Sequence, residues 1–542
     1  MQKKRIVTSA LPYVNNIPHI GNIIGCVLSG DVYARYSKKN RIDAIHICGT
    51  DEFGTATEMM AIAKNCHPMD ICNVNRIEHK KIYDWFDIHF DNFGKTTSQN
   101  HILFTQEVFL KIRENGYLEE KEISQMYCET DQMFLADRYI IGQCNNCSAE
   151  GAKGDQCEKC GSMLREEDLI NPVCFLCKKT PIFKKSHHIF LRLDLLQSRI
   201  KEFVNESTKT WSKIATADAK DWCNKELISR CITRDLRHKW GVPVPLKGFE
   251  DKVLYVWFDA PIGYISFIKE LSEEYLKDFE LVEFMGRDNV SFHSIFFPGM
   301  MLAAGINFFP KQISATYYLK FENEKISKSK NHGVFTDQII KNRLGNDSMW
   351  RYYLCKIRPE TNDTNFSTSD FLSYYSTDLI NTIGNFVNRV LKYINNFTDG
   401  RVRYEVEIQN KNINDIQECY NNYIQAMDEI NMRKGIECTV MFASLGNTFL
   451  QGYVKNDKKE RNTAFSYGVS FVKLLAHMIE PFMPKISLRI FSMLNVDEKY
   501  FDEGTTFLPN NHKISSNIEV LFEKLDPNVV QNIHDLVNLS KN

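Results

Sequence analysis

The sequence predicts an α/β protein in which a parallel-sheet core is interrupted by a cysteine-rich insert and followed by an all-α bundle. Three observations carry this. Near the N-terminus an apolar, β-branched run (Ile6, Val7, Ala10, Leu11) breaks at Pro12 and gives way, after Pro18, to an amphipathic helix. Paired cysteines crowd the stretch from Cys144 to Cys177. Beyond Asn365 the pattern is almost wholly helical.

The first segment, ALPYVNNIPHIGN at 10–22, reads as strand, loop, helix, with Ile20, Ile23, Ile24, Val27, Leu28 and Val32 forming the apolar stripe. His19 therefore falls at a helix N-terminus, where unpaired N–H groups and the helix dipole favour an anion. Gly21, without a Cβ, lets a ligand approach the backbone. A histidine that merely caps an ordinary strand-to-helix junction is the other reading. Next, Ala44 to Cys48 reads as a buried strand ending in a polar loop that carries Asp51. A parallel sheet brings such loops together at its carboxyl edge. Helical patterns follow at 58–64, 75–86 and 106–115.

From Tyr117 the texture becomes short, turn-rich and rich in cysteine. Cys144-x2-Cys147 and Cys157-x2-Cys160 form two knuckles able to offer four thiolates to one Zn²⁺ in a closed, structural site. Cys174 and Cys177, with Cys128 and Asp131, are either a second zinc set or isolated thiols in a packed insert. The α/β texture resumes near Cys223. ITRDLRHKWGVPVP carries Arg234, VLYVWFDAPIGYISF reads as a strand leading into a helix through Pro261 and Gly263, and MGRDNVSFHS places Asp288 and His293 on a further loop-to-helix turn. A short strand over 317–321 precedes KISKSKN (325–331), whose alternating lysines and hydroxyls suit a loop that closes over phosphates.

The 542 residues demand several units, divided as 1–116, 117–222 (insert), 223–320, 321–370 and 371–542 (helical). A net charge of −1 requires any nucleic-acid contact to come from local patches. Sixteen cysteines in a chain this long, several in CxxC pairs, point to a reducing compartment and metal rather than to a disulfide scaffold. The basic start MQKKR is followed by no secretory apolar run, and no apolar stretch reaches membrane-spanning length, so a cytoplasmic protein without membrane or DNA contacts is expected. Neither GxGxxG nor GxxxxGK[ST] occurs at its functional spacing, which argues against a nicotinamide enzyme and a P-loop NTPase.

PHIGN and KISKS resemble the two signatures of class I aminoacyl-tRNA synthetases. ALPYVNNIPHIGN, CGTDEFGT, the four-Cys insert, YVWFDAPIGY, RDNVSFHS and KISKS, in that order, resemble the methionyl-tRNA synthetase family, over roughly Lys4 to Pro484. Three positions depart from the family pattern: Asn22 stands for its second histidine, Ile326 for methionine and Arg287 for lysine. The resemblance implies a Rossmann-like catalytic domain and the activation of L-methionine by ATP with Mg²⁺, followed by transfer to the 3′-terminal adenosine of tRNA(Met). It assigns catalysis to His19, Gly21, Asn22, Lys325 and Lys328. Pro12, Gly286, Asp288, Ser327 and Ser329 join these in binding ATP. Methionine would meet Ala10, Leu11, Tyr13, Trp257, Ala260, Pro261, Tyr264, Asn289 and His293, with Asp51 on its ammonium and Arg234 pairing with Asp51.

Such chemistry needs positioning and charge neutralisation rather than a side-chain nucleophile. Aromatic rings around a thioether suit methionine, because sulfur makes favourable contacts with them. Asn381, Asn385 and Arg389 recur every four residues on one helix face; by the resemblance this face reads the anticodon, and its residue types suit the Watson–Crick edges of unstacked bases. The tryptophan that the family stacks on an anticodon base has no counterpart, since the last tryptophan is Trp350; Tyr453 is the expected substitute. No appended RNA-binding domain follows Glu498, so partner proteins of translation or of a synthetase complex are expected to assist.

Overall fold

The computed structural model describes residues 4–154, 157, 159–160, 162, 164, 168–326, 332–408, 411–497 and 507–539. Five parallel strands form its central sheet: β1 (Lys4–Ser9), β2 (Asp43–Thr50), β3 (Asn92–Lys95), β4 (Phe279–Gly286) and β5 (Pro310–Thr316), in the order β5-β4-β1-β2-β3. β1 is central: the chain runs outward from it through β2 to β3, then crosses back to β4 on its other side and on to β5. The crevice at the carboxyl ends of β1 and β4 is therefore the topological switch point where such sheets bind ligands.

The continuous apolar runs of β1, β2 and β4 match a sheet covered on both faces, and Ile6, Val7, Ile45, Ile47, Val282 and Phe284 are fully or nearly fully buried. β2 is longer than the expected Ala44–Cys48, because Gly49 and Thr50 continue the parallel pairing with Gly94 and Lys95 of β3. The first helix, α1, runs through Ile20–Asn22, a π-helical turn Ile23–Val27 and Leu28–Lys39. Helices Thr55–Lys64 and Pro68–Trp85 follow, then α2 (Gln99–Glu114).

The insert has its own antiparallel sheet, in which Leu118–Cys128 pairs with Ile182–Leu191 over ten residues, and a three-stranded sheet that carries the cysteines. Helices Gln197–Ser207 and Lys213–Cys223 return to the core: Ile200 and Ile214 lie in the same apolar cluster as Ile6 and Ile45. The segment 253–267, read as a strand leading into a helix, keeps only Val253–Leu254 extended. It then turns through α3 (Val256–Asp259) into α4 (Ile262–Leu271), since Pro261 starts a helix readily where its missing N–H costs nothing.

The C-terminal region is helical as expected: Thr368–Tyr374, a π-helical stretch Tyr375–Gly384 running on into α5 (Asn385–Phe397), then Lys411–Asp428, α6 (Met432–Gln451), α7 (Lys458–Ile479), α8 (Pro484–Leu494) and Pro527–Leu539. One apolar cluster runs from Val7 and Ile23 through Trp350 into Phe442, Phe471 and Leu494, so bundle and sheet share a core. Arg351, fully buried, ties them together. It pairs with Asp31 of α1 at 2.7 Å and donates to the carbonyls of Phe482, Pro481 and Phe86. A buried guanidinium is tolerated because a carboxylate and several carbonyls satisfy it together.

Candidate active site

The chain leaving β1 is stitched to the chain leaving β2: the Asp51 N–H donates to the Pro12 carbonyl at 3.0 Å, and Tyr13 bridges Asp51. His19 caps α1. Its Nδ1 accepts the backbone N–H groups of Gly21 (3.1 Å) and Asn22 (3.3 Å), while Oδ1 of Asn22 accepts the His19 N–H at 3.1 Å. Backbone amides only donate, so Nδ1 must carry the lone pair and the ring proton sits on Nε2. Burial pushes the His19 pKa down to about 4, so the ring stays neutral at pH 7 and offers one N–H donor. Any Cβ on Gly21 would lie 2.9 Å from Cε1 of His19, so the folded-back imidazole requires glycine there. Asn22 thus completes a reciprocal cap, while its exposed side chain stands at the mouth of the site.

The second signature approaches from the far side of the sequence. Thr336 donates through Oγ1 to the carbonyl of Pro18 at 2.7 Å, Ile20 donates to the Val334 carbonyl at 3.2 Å, and His19 bridges Phe335. Lys325 closes a hairpin with Lys320 and holds its ammonium 5.3 Å from the centre of the Tyr318 ring. Ser327, Lys328 and Ser329 lie outside the described residues. Of the chain that flanks them, Val334–Thr336 stands beside the His19 helix start.

At the carboxyl end of β4 an added Cβ on Gly286 would meet nothing within 4 Å, which leaves open space over its backbone. Asp288, exposed, accepts a hydrogen bond from the hydroxyl of Tyr318. Arg287 forks onto Asp218 at 3.1 and 3.2 Å and so anchors this turn to helix Lys213–Cys223.

Trp257 and Tyr264 belong to one apolar cluster, with Ala10 and Leu11 packed against it. The Leu11 backbone lies beside the Tyr264 hydroxyl. The hydroxyl of Tyr264 stands 2.9 Å from Nε2 of His293, whose Nδ1 is 2.9 Å from the Asn289 carbonyl. That carbonyl takes the imidazole proton, so Tyr264 donates to Nε2; burial pushes the His293 pKa down to about 4 and keeps the ring neutral. His293 sits in a π-helical turn (Phe292–Phe296), an irregularity frequent at functional sites. Ala260 and the buried Pro261 form the link between α3 and α4.

One expected contact is not made. Arg234 does not pair with Asp51: the Oδ1 atom of Asp51 is buried without a hydrogen-bond partner, and the Arg234 guanidinium lies 3.7 Å from the centre of the Tyr255 ring. The aromatic face offers a planar cation a stacking surface that the sequence could not rank against the carboxylate. Burial, with Asp259 and Glu52 close by, pushes the Asp51 pKa well above the usual carboxylate range. Four groups escaped the sequence reading: Asp259, His101, Tyr318 and Tyr255. Asp259, the acid inside YVWFDAPIGY, was the legible one, because an aspartate within an apolar run is a signal in itself.

In the insert, the sulfur atoms of Cys144, Cys147, Cys157 and Cys160 all lie within 4.8 Å of one another, with Cys144–Cys160 at 3.8 Å and Cys147–Cys157 at 3.6 Å. A tetrahedral zinc–thiolate site has sulfur–sulfur edges of about 3.8 Å. Cys128, Asp131, Cys174 and Cys177 form a second set: Oδ2 of Asp131 is 3.1 Å from both Cys128 and Cys174, and Cys128 is 3.4 Å from Cys177. The two sets share a knuckle. Ser148 donates to the Cys144 carbonyl as Lys178 does to that of Cys174, both at 2.9 Å and both with a left-handed backbone.

In the bundle, Asn381 and Asn385 are exposed, and Arg389 donates to Gln451 of α6 at 3.2 Å. Arg389 lines a cleft of about 410 Å³ with Lys392, Tyr393, Phe397, Val454 and Arg461. Tyr453 is half-buried and packs on Phe449 at 5.2 Å, whereas Phe397 is 62% exposed. Among the described residues, no helix is long and apolar enough to cross a membrane.

Comparison with known proteins places these features. A family model described as "tRNA synthetases class I (M)" matches residues 5–391, and one described as "Anticodon binding domain of methionyl tRNA ligase" matches 403–535. The chain is 46% identical over 528 residues to the probable cytoplasmic methionine--tRNA ligase of Encephalitozoon cuniculi, covering 96% of each. It is 40% identical over 550 residues to the cytoplasmic methionine--tRNA ligase of Saccharomyces cerevisiae, covering 97% of this chain and 72% of that one. Its fold matches that of Mycobacterium tuberculosis methionyl-tRNA synthetase bound by methionyl-adenylate, with a TM-score of 0.79 at 19% identity over 96% of this chain and 100% of the other. With family models spanning both the sheet and the bundle, and relatives this similar along their length, the chain belongs to the methionine--tRNA ligases, class I aminoacyl-tRNA synthetases.

Proposed function

We propose that this chain activates L-methionine with ATP at the crevice between β1 and β4, and that it transfers the methionyl group to the 3′-terminal adenosine of tRNA(Met). The observation that supports the site assignment is the seam formed by Pro18–Ile20 with Val334–Thr336, which sets the chain following the second signature against the helix start of the first. In the activation step a methionine carboxylate oxygen attacks the α-phosphorus of ATP, and the bond to pyrophosphate breaks. Nothing on the enzyme needs to be a nucleophile; the barrier falls through positioning and neutralisation of phosphate charge.

The Nε2–H of His19 and the ammonium of Lys325 are the donors on this side, and Lys328, Ser327 and Ser329 of the second signature complete the set. Pro12, Gly21, Asn22 and Gly286 shape the nucleotide site by leaving room, and Asp288 faces the ribose. Mg²⁺ accompanying ATP would add neutralising charge on the phosphates. Methionine lies among Ala10, Leu11, Tyr13, Trp257, Ala260, Pro261, Tyr264, Asn289 and His293, and Asp51 receives its ammonium. Arg234 flanks Tyr255 and orients that wall.

The Cys144–Cys147–Cys157–Cys160 set would hold a structural zinc with no open position, and Cys128–Asp131–Cys174–Cys177 offers a second donor set. Asn381, Asn385 and Arg389 read the anticodon. Relatives carry cytoplasmic names, and this chain is placed in the cytoplasm with them. Partner proteins of translation supply further tRNA affinity. Charging of a tRNA with a CAU anticodon tests the reading: efficient methionylation that falls when the anticodon is altered supports it, and equal charging of both removes the bundle's role.

A further inference from the structure

Asp288 stands on the short turn Arg287–Asn289 that follows β4, next to the open space over Gly286. The fork of Arg287 onto Asp218 fixes the backbone of this turn. The carboxylate is held separately: Oδ1 accepts the hydroxyl of Tyr318, while Oδ2 takes no hydrogen bond or ion pair among the described residues. An aspartate this exposed would otherwise move among several rotamers.

Tyr318 is a firm anchor, because its own backbone is tied on both sides. It follows β5 and precedes the strand Leu319–Phe321, which pairs with Thr364–Phe366. Its N–H donates to Oδ1 of Asp363 at 3.1 Å, and its carbonyl accepts the N–H of Thr364 at 3.1 Å. Just before it, Tyr317 donates to the Pro359 carbonyl at 2.9 Å. The Tyr318 side chain is nevertheless left 37% exposed, so packing explains only part of its place. Its hydroxyl goes to Asp288, and the centre of its ring lies 5.3 Å from the ammonium of Lys325. One side chain thus touches both the acid at the carboxyl end of β4 and the first lysine of the second signature.

We propose that Tyr318 is a positioning residue of the nucleotide site: its hydroxyl holds Asp288 by one carboxylate oxygen and leaves the other to accept a hydroxyl of the ribose. This rests on the placing of ATP given above, in which Asp288 touches the nucleotide; Tyr318 acts through it. The gain is preorganisation. A carboxylate has acceptor sites on both oxygens, so the tie to Tyr318 does not compete with the ribose, and it removes rotamer freedom that binding would otherwise have to quench. No bond is made or broken, and no proton moves.

The test compares ATP with 2′-deoxy-ATP and 3′-deoxy-ATP in methionine-dependent pyrophosphate exchange by the full-length protein. The variant is Tyr318→Phe, which removes one oxygen and keeps the ring. The native chain should prefer ATP to at least one analogue by about tenfold in kcat/KM, as for loss of a hydrogen bond to a charged acceptor. In Tyr318→Phe that preference should shrink to about threefold, the scale of one side chain's lost ordering. It shrinks because KM for ATP rises with kcat changed less, while the constants for that analogue stay near native. A merely structural role slows all three nucleotides alike and leaves the preference intact; that result overturns the proposal.

Asp288→Ala separates this failure from failure of the reading beneath it. If Asp288→Ala abolishes the preference and Tyr318→Phe does not, Asp288 meets the ribose without help from Tyr318, and only the present proposal is lost. If the native chain shows no preference, or keeps it in Asp288→Ala, the placing of Asp288 at the ribose fails and the proposal falls with it.

Discussion

Thr336 hydrogen-bonds the Pro18 carbonyl at 2.7 Å across 318 residues of sequence. It fixes the chain that leaves the KISKS segment against the loop that presents His19. In the proposed site the phosphates would meet two distant signatures, one the helix cap at His19 and the other the lysine-bearing segment that begins at Lys325.

His19 acts as a neutral donor in this arrangement. His19→Ala removes both the donor and the cap of α1, and kcat for pyrophosphate exchange is expected to fall by about 10²–10³, as for loss of one preorganised donor to a developing anion. KM for methionine should change little. A parallel rise in KM with kcat preserved would assign His19 to amino-acid binding instead.

Three buried histidines make the fold acid-sensitive. Burial pushes His46 and His293 down to about 4 and His101 to about 3, against an ordinary value of about 6.5 in the unfolded chain. The unfolded state therefore binds protons that the folded state refuses. The stability these rings contribute is present above about pH 6.5 and is lost as the pH falls toward 4, by up to about 1.4 kcal/mol per pH unit for each ring. Urea unfolding between pH 7 and 5 checks this; a flat midpoint over that range contradicts it.

The donor geometry of the insert predicts about two zinc ions per chain, one in each four-ligand set. Cys147→Ser should remove one by elemental analysis, and Asp131→Ala the other. Zinc content unchanged in Asp131→Ala would show that the second set is filled by hydrogen bonding alone.

Arg389→Ala should lower the rate of tRNA methionylation about tenfold or more while sparing pyrophosphate exchange, because the cleft it lines is built wholly from the bundle. Equal loss in both assays would make Arg389 a support for the α5–α6 contact through Gln451.

Much of this was legible in the letters, for identifiable reasons. Continuous apolar runs located β1 and β2, because a sheet buried on both faces leaves no polar alternation, and a period of 3.6 located α1. The CxxC spacing located the knuckles, because a tight turn must aim both sulfurs one way. The strand-to-helix passage through Pro261 was legible over 253–267, but not how early the strand ends, since an apolar run carries no period to mark the boundary. Arg234 was expected on Asp51 and stacks on Tyr255, because a guanidinium satisfied by a ring leaves no mark in the spacing. Likewise Tyr453 packs inward on Phe449 while Phe397 stands open, a difference set by bundle packing rather than by residue type.

Pyrophosphate exchange with single amino acids tests the central claim most directly. Methionine should drive exchange and leucine should not, and the methionine-dependent rate should collapse in both Lys325→Ala and Lys328→Ala with the fold intact. Exchange driven by leucine, or a rate undiminished in both variants, would contradict a triphosphate site formed where the two signatures meet.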